Sequence, residues 1–203
     1  MLRSSAIVAA AAAMVVATAS ATESTIYPGV GIGKVKLGMT LAQVKHVLGS
    51  GAIVNDRETI NGSDYLELGW NFSAWAVGFS RRGSTYHAVH VTTGLHAQRT
   101  TKAIGPGTLW LKLVKAYPGG ACTFVETATG GLEYLVPHRG GTQTLFMLKN
   151  WPPNAGFYGH TLKTYVVVTV SVRTPYQARP EFARDYPYRC RAGWQSTPRP
   201  QVK

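Results

Sequence analysis

Two stretches of the chain, GKVKLGMTLAQVKHVLG from Gly33 to Gly49 and GTLWLKLVKAYPG from Gly107 to Gly119, carry one helical signature twice. An internal repeat constrains a fold more than any single motif, because each unit must bury its apolar face against a neighbour. In the first stretch Thr40 is a good N-cap and Gln43 stands three residues later, which makes a capping box. Leu41, Val44, Val47 and Leu48 line one face, and Gly49 ends the helix. In the second stretch Trp110, Leu113, Val114 and Tyr117 recur at helical spacing before Pro118-Gly119, while Leu109 stands where the first copy has its cap.

Gly107 lies 69 residues after Gly38, and that offset recurs downstream. Asp64-Tyr65-Leu66 maps onto Glu133-Tyr134-Leu135, and Trp75 to Phe79 maps onto Thr144 to Leu148. The last match, Tyr86 to Thr93 onto Tyr165 to Val172, has an offset of 79, which places extra residues in the preceding hairpin of the second copy. Each unit reads as a helix followed by three antiparallel strands. Alternation predicts that Leu66, Leu68 and Trp70, then Trp75, Val77 and Phe79, then Val89 and Val91 face a core. In the second unit Phe146 and Leu148, then Val166, Val168, Val170 and Val172, take that place. The expected fold class is α+β: two tandem helix-plus-three-stranded-meander repeats forming one antiparallel sheet, with helices packed on one face. The expected organisation is a leader over 1–21, a first repeat over 22–98, a second over 99–173 and a basic, proline-rich segment over 174–203.

The leader reading rests on Arg3, an apolar run from Ala6 to Ala17 and the small-x-small site Ala19-Ser20-Ala21. That run is shorter than the ~20 residues a membrane-spanning helix needs. The expectation is therefore an exported, periplasmic or cell-envelope protein with no membrane span after cleavage near Ala21, and the alanine-rich leader has a bacterial character. In an oxidising compartment Cys122 and Cys190, the two cysteines of the chain, are expected to form one disulfide. Such a bond would clasp the C-terminal segment and stabilise the fold by about 4 kcal/mol on the chain-entropy model.

With both units in place, the pattern resembles the fold of β-lactamase inhibitory proteins, secreted tandem repeats of helices followed by a meander. The segment LGMTLAQVKHVLG, from Leu37 to Gly49, is also similar to the corresponding part of BamE-type outer-membrane assembly lipoproteins. In the inhibitors, the resemblance implies that the sheet face and hairpin tips grip an enzyme, with a carboxylate on one tip. Here the matching tip is Ser80-Arg81-Arg82-Gly83-Ser84, of opposite charge, and Thr22 rather than a cysteine stands directly after the expected cleavage site, where a lipid would be carried.

The strand phase turns Tyr65, Glu67, Tyr86 and His90 away from the core, and in the second unit Tyr134, Leu145, Met147, Tyr165, Val167 and Thr169. Repeated tyrosines on an open face resemble a protein-binding surface; the alternative is a face covered by the C-terminal segment. Arg81 and Arg82 on a hairpin tip, and Trp151, Phe157 and Tyr158 in the inserted hairpin, complete the candidate contacts. The formal charge of +12 favours anionic partners and aids encounter, or serves solubility alone. The expected function is thus non-catalytic protein binding, by a chain that is expected to be monomeric, to need no cofactor and to take no nucleic acid. The alternatives are a cationic envelope-binding protein relying on Arg81, Arg82 and the C-terminal arginines, and a small basic hydrolase in which Glu67 and His90 meet across strands. No metal site is expected, since strict alternation sends His87 and His90 to opposite faces.

Overall fold

The computed structural model describes residues 25–60, 62–71, 74–125, 131–150, 165–174 and 188–189. Three short strands open it: Thr25–Tyr27 (β1), Gly31–Ile32 (β2) and Val35–Lys36 (β3). Helix Leu41–Leu48 (α1) follows, then strands Ile53–Ile60 (β4), Ser63–Trp70 (β5), Trp75–Arg82 (β6) and Thr85–Thr93 (β7). Arg99–Thr100 (β8) leads to helix Trp110–Ala116 (α2) and to strands Ala121–Val125 (β9), Gly131–Pro137 (β10), Gln143–Asn150 (β11) and Tyr165–Arg173 (β12). Tyr188–Arg189 (β13) comes last.

The expected α+β class does not hold. Strands make up 56% of the described residues and helix 12%, and the two helices have 8 and 7 residues. A large antiparallel sheet runs in the order β13-β9-β10-β11-β12-β7-β6-β5-β4. A second sheet, β3-β2-β1-β8, joins β1 to β8 in parallel through Thr25↔Arg99 and Ile26↔Thr100. This small sheet occupies the centre that helices were expected to cover, since β2 touches both β7 and β12. Its strands are only two or three residues long, too short for a period of two to stand out in the sequence.

Each helix precedes four strands rather than three. The unforeseen β4 and β9 lie outside the expected meanders. In β4 the polar run Asn55-Asp56-Arg57-Glu58 hides any alternation, because Asn55, Asp56 and Arg57 are exposed and Glu58 is half-buried on an edge strand. The halves meet where β7 pairs β12, with Val91 opposite Val172.

α1 forms as its capping box dictates: the Gln43 amide donates to Thr40 Oγ1 at 3.3 Å, and the Thr40 amide donates to Gln43 Oε1 at 2.8 Å. Val44 is its fully buried side chain. α2 has no side-chain cap at Leu109 and is held by burial of Trp110, Leu113 and Val114. The Trp110 ring meets Tyr134 edge-on at 5.6 Å. Beyond the helix, the Tyr134 hydroxyl donates to the Tyr117 carbonyl and accepts from the Gly120 amide at 3.1 Å. The core lies between the inner face of the large sheet and the layer made by the small sheet and both helices.

Two β-bulges decide which side chains reach that core. Opposite β6, Gly78 faces His90 and Phe79 faces Ala88, so Val89 is the extra residue. Opposite β11, Met147 faces Thr169 and Leu148 faces Val167, so Val168 is extra. A one-residue slip exchanges the faces of everything beyond it. Tyr165 and Val167 therefore enter the core, whereas Val166 and Val168, expected there, are only partly buried. A second correction concerns β10. Leu132 and Tyr134 face Leu148 and Phe146 on the inner side, as Leu66 and Leu68 face Phe79 and Val77 in the first half. The equivalent of Leu66 is Leu132 and not Leu135, and the match of Tyr65 to Tyr134 joins residues on opposite faces.

Candidate functional site

On the outer face of the large sheet, Glu67 and His90 flank Gly78 as its partners on either side. A glycine leaves room for both to lean inward. Glu67 Oε2 lies 3.8 Å from His90 Nδ1 and accepts from the Tyr65 hydroxyl at 3.1 Å. Its other oxygen accepts from Asn55 Nδ2 at 3.3 Å. The Tyr65 ring lies across Gly78, where a Cβ would sit 2.2 Å from the hydroxyl oxygen. His90 Nε2 meets Thr92 Oγ1 at 2.6 Å, and Thr92 meets Ser171 Oγ at 2.8 Å. Arg173, opposite His90, donates from Nε to Gln143 Oε1 at 3.0 Å.

Burial pushes the His90 imidazole down to about 4, and the Arg173 guanidinium adds to the shift. Desolvation outweighs the nearby Glu67 carboxylate, so the ring is neutral at pH 7. The arrangement of carboxylate, imidazole and hydroxyls has the order of a nucleophile relay. The 3.8 Å gap is longer than a hydrogen bond, however, and Glu67 already accepts from two other groups. The cluster joins β4, β5, β7 and β12 into one polar brace.

The structure overturns the picture of a bare tyrosine face. Tyr65, Glu133, Leu145 and Arg173 on that face are all buried. Tyr86, Tyr134 and Tyr165 stand on the inner side, for the reasons of phase given above. Met147 is on the outer face, half-buried, opposite Glu133 and Thr169. The bulge at Val89 also brings His87 and His90 to the same face. His87 Nδ1 is engaged with the Gly38 carbonyl at 3.1 Å. Trp151, Phe157, Tyr158 and Cys190 lie outside the described residues.

The β6–β7 tip is exposed from Arg81 to Thr85. Arg81 makes a surface pair with Asp64 at 3.1 Å and donates from Nε to the Gly83 carbonyl, which shapes the turn. Beside the tip runs an open groove of about 430 Å³, lined by Thr40, Leu41, Ala42 and Lys45 of the α1 start and by Ser84, Thr85 and Tyr86. Its walls are stitched by the Gly38 amide to the Ala88 carbonyl at 2.7 Å and the Ala88 amide to the Met39 carbonyl at 2.8 Å. Of the predicted contacts, only Arg81, Arg82 and Tyr86 gather here. The α1 contribution was invisible in sequence, because it depends on a pairing between segments nearly fifty residues apart.

Cys122 is fully buried on β9, and no described cysteine is a free thiol. Among the described residues no helix is long and apolar enough to cross a membrane, and no group of three His, Cys, Asp or Glu is placed to hold a metal ion. Neither a family model, nor a curated protein, nor a solved structure matches this chain.

Proposed function

We infer that the protein is an exported, non-catalytic binding module that grips another protein with the β6–β7 tip and the groove beside it. The observation that carries this reading is the groove itself: an open cleft with Leu41 and Tyr86 in its lining, next to the exposed arginine Arg82. Tyrosine and arginine at the edge of an apolar cleft are the residue types that concentrate binding energy. The resemblance to inhibitory proteins supports the same element, since their hairpin tips make contact. The outer face of the sheet is left out of this reading, because Tyr65, Glu133, Leu145 and Arg173 on it are buried.

The test is site-specific photocrosslinking in envelope extract, with the photoreactive residue at Ser84 of the mature protein or, as a control, at exposed Arg139. A discrete protein adduct from Ser84, absent from Arg139 and reduced by Tyr86→Ala, is expected. Equal labelling from both positions, or none from Ser84, overturns the reading.

The short His90 to Thr92 contact favours a second reading, a small hydrolase working through Glu67, His90 and a hydroxyl. A nitrophenyl ester assay of the wild type beside His90→Ala tests it. Equal rates in both eliminate it.

A further inference from the structure

The layer that packs on the inner face of the large sheet is made from two stretches of chain, 25–50 and 94–120. Neither contains an Asp or Glu, although they carry Lys34, Lys36, Lys45, Arg99, Lys102, Lys112 and Lys115. The acidic residues that the structure describes, Asp56, Glu58, Asp64, Glu67 and Glu133, all belong to β4, β5 and β10 of the large sheet. Among the described residues the acidic charge is therefore confined to one layer, while cations occur in both.

Geometry turns this segregation into a surface. Each element of the layer buries one side against the sheet: Val35 in β3, Val44 in α1, and Trp110, Leu113 and Val114 in α2. The opposite sides consequently point away from the sheet together. Lys36 follows Val35 in strand phase, Lys112 and Lys115 lie on the outward side of α2, and Lys34 and Lys45 are exposed as well. Among the described residues none of these five lysines forms an ion pair, so no carboxylate answers them there. Lys102 is committed elsewhere, donating to the Ala116 carbonyl at 2.7 Å and lying over the Tyr117 ring.

We propose that this acid-free lysine face binds a flexible, base-free polymer whose repeating anion is phosphate. Several cations on one face without a counter-charge attract a polyanion through the release of its condensed counterions. The cations are lysines, which meet phosphate as point charges and do not impose the planar fork of arginine. A chain of single phosphates, free to bend between separated ammonium groups, suits that pattern. Nucleic acid fits less well: every aromatic side chain whose burial is described is buried or half-buried, so the face offers no platform on which bases could stack. A bilayer fits less well too, because the exposed apolar residues of the layer, Val30, Leu109 and Leu111, are few and share no single element.

Binding of long-chain inorganic polyphosphate to the full mature protein, followed by fluorescence anisotropy across a salt series, tests the proposal. The triple variant Lys36→Gln, Lys45→Gln, Lys112→Gln is expected to bind about tenfold more weakly or worse at physiological salt, with a salt slope shallower by about 2. A charge-matched control, Arg57→Gln, Arg82→Gln, Arg139→Gln, is expected to lose less than about threefold, and the corresponding triple Lys→Arg variant is expected to retain binding. Cooperative thermal unfolding of every variant shows that each is folded. Equal losses in the lysine and arginine variants, or no binding by the wild type, overturn the proposal. Tighter binding to oligo(dT), or to vesicles of equal parts phosphatidylglycerol and phosphatidylcholine, overturns the assignment of the partner.

Discussion

Gly78 determines what the outer face of the large sheet can hold. Any side chain there would collide with the Tyr65 ring, so Gly78→Ala is expected to destabilise the fold by about 1–3 kcal/mol, read as a lower urea midpoint at unchanged slope. His90, beside it, couples the same face to pH. Its folded value of about 4 is below the unfolded 6.5, so the unfolded chain binds the extra proton first as the solution is acidified. The stability tied to neutral His90 is therefore complete above pH 6.5 and is lost as pH falls toward 4. The loss is on the order of 3 kcal/mol, and His90→Gln is expected to flatten the dependence of urea stability on pH across that window. The meeting of Glu67 with His90 was legible from strand phase, because both lie on the cross-strand line through Gly78 before any irregularity. Tyr86 lies beyond the bulge, where the same phase argument inverts.

At the scale of elements, legibility followed the range of the forces involved. α1 was readable to the residue because its cap bonds connect positions three apart, and Thr40→Ala is expected to cost about 0.5–2 kcal/mol by thermal or chemical denaturation. The poor cap of α2 was equally visible in sequence. Leu109 is exposed and makes no cap bond, so Leu109→Ser is expected to raise stability by about 1 kcal/mol in the same assay. The bulges at Val89 and Val168 sit in runs of apolar and β-branched residues that read as regular strands. Nothing local reveals them, since the extra residue is defined by the partner strand. They fall 79 residues apart, as do Tyr86 and Tyr165, whereas β10 follows β5 at a different spacing from the one that relates β11 to β6. Comparing letters at a constant offset therefore aligned one pair of strands on the wrong faces.

For the molecule as a whole, the class is hidden because the parts of the inner layer are unequally marked in the sequence. Two well-marked helices suggested a helical layer, while the short strands that share that layer left no periodic trace. The C-terminal closure belongs to this scale too. β13 adds Tyr188 opposite Cys122 at one rim of the large sheet, and Cys190 follows two residues later. A Cys122–Cys190 bond is expected, and peptide mapping with and without reductant checks it; two separately alkylated cysteines in the unreduced protein would contradict it. The pairing of β1 with β8 has a further consequence for a chain synthesised from its N-terminus onward. Strand β1 cannot complete its sheet until β8, and with it every strand of the first half, has been made. Synthesis thus leaves Ile26, fully buried in the finished fold, without its native cover through that interval.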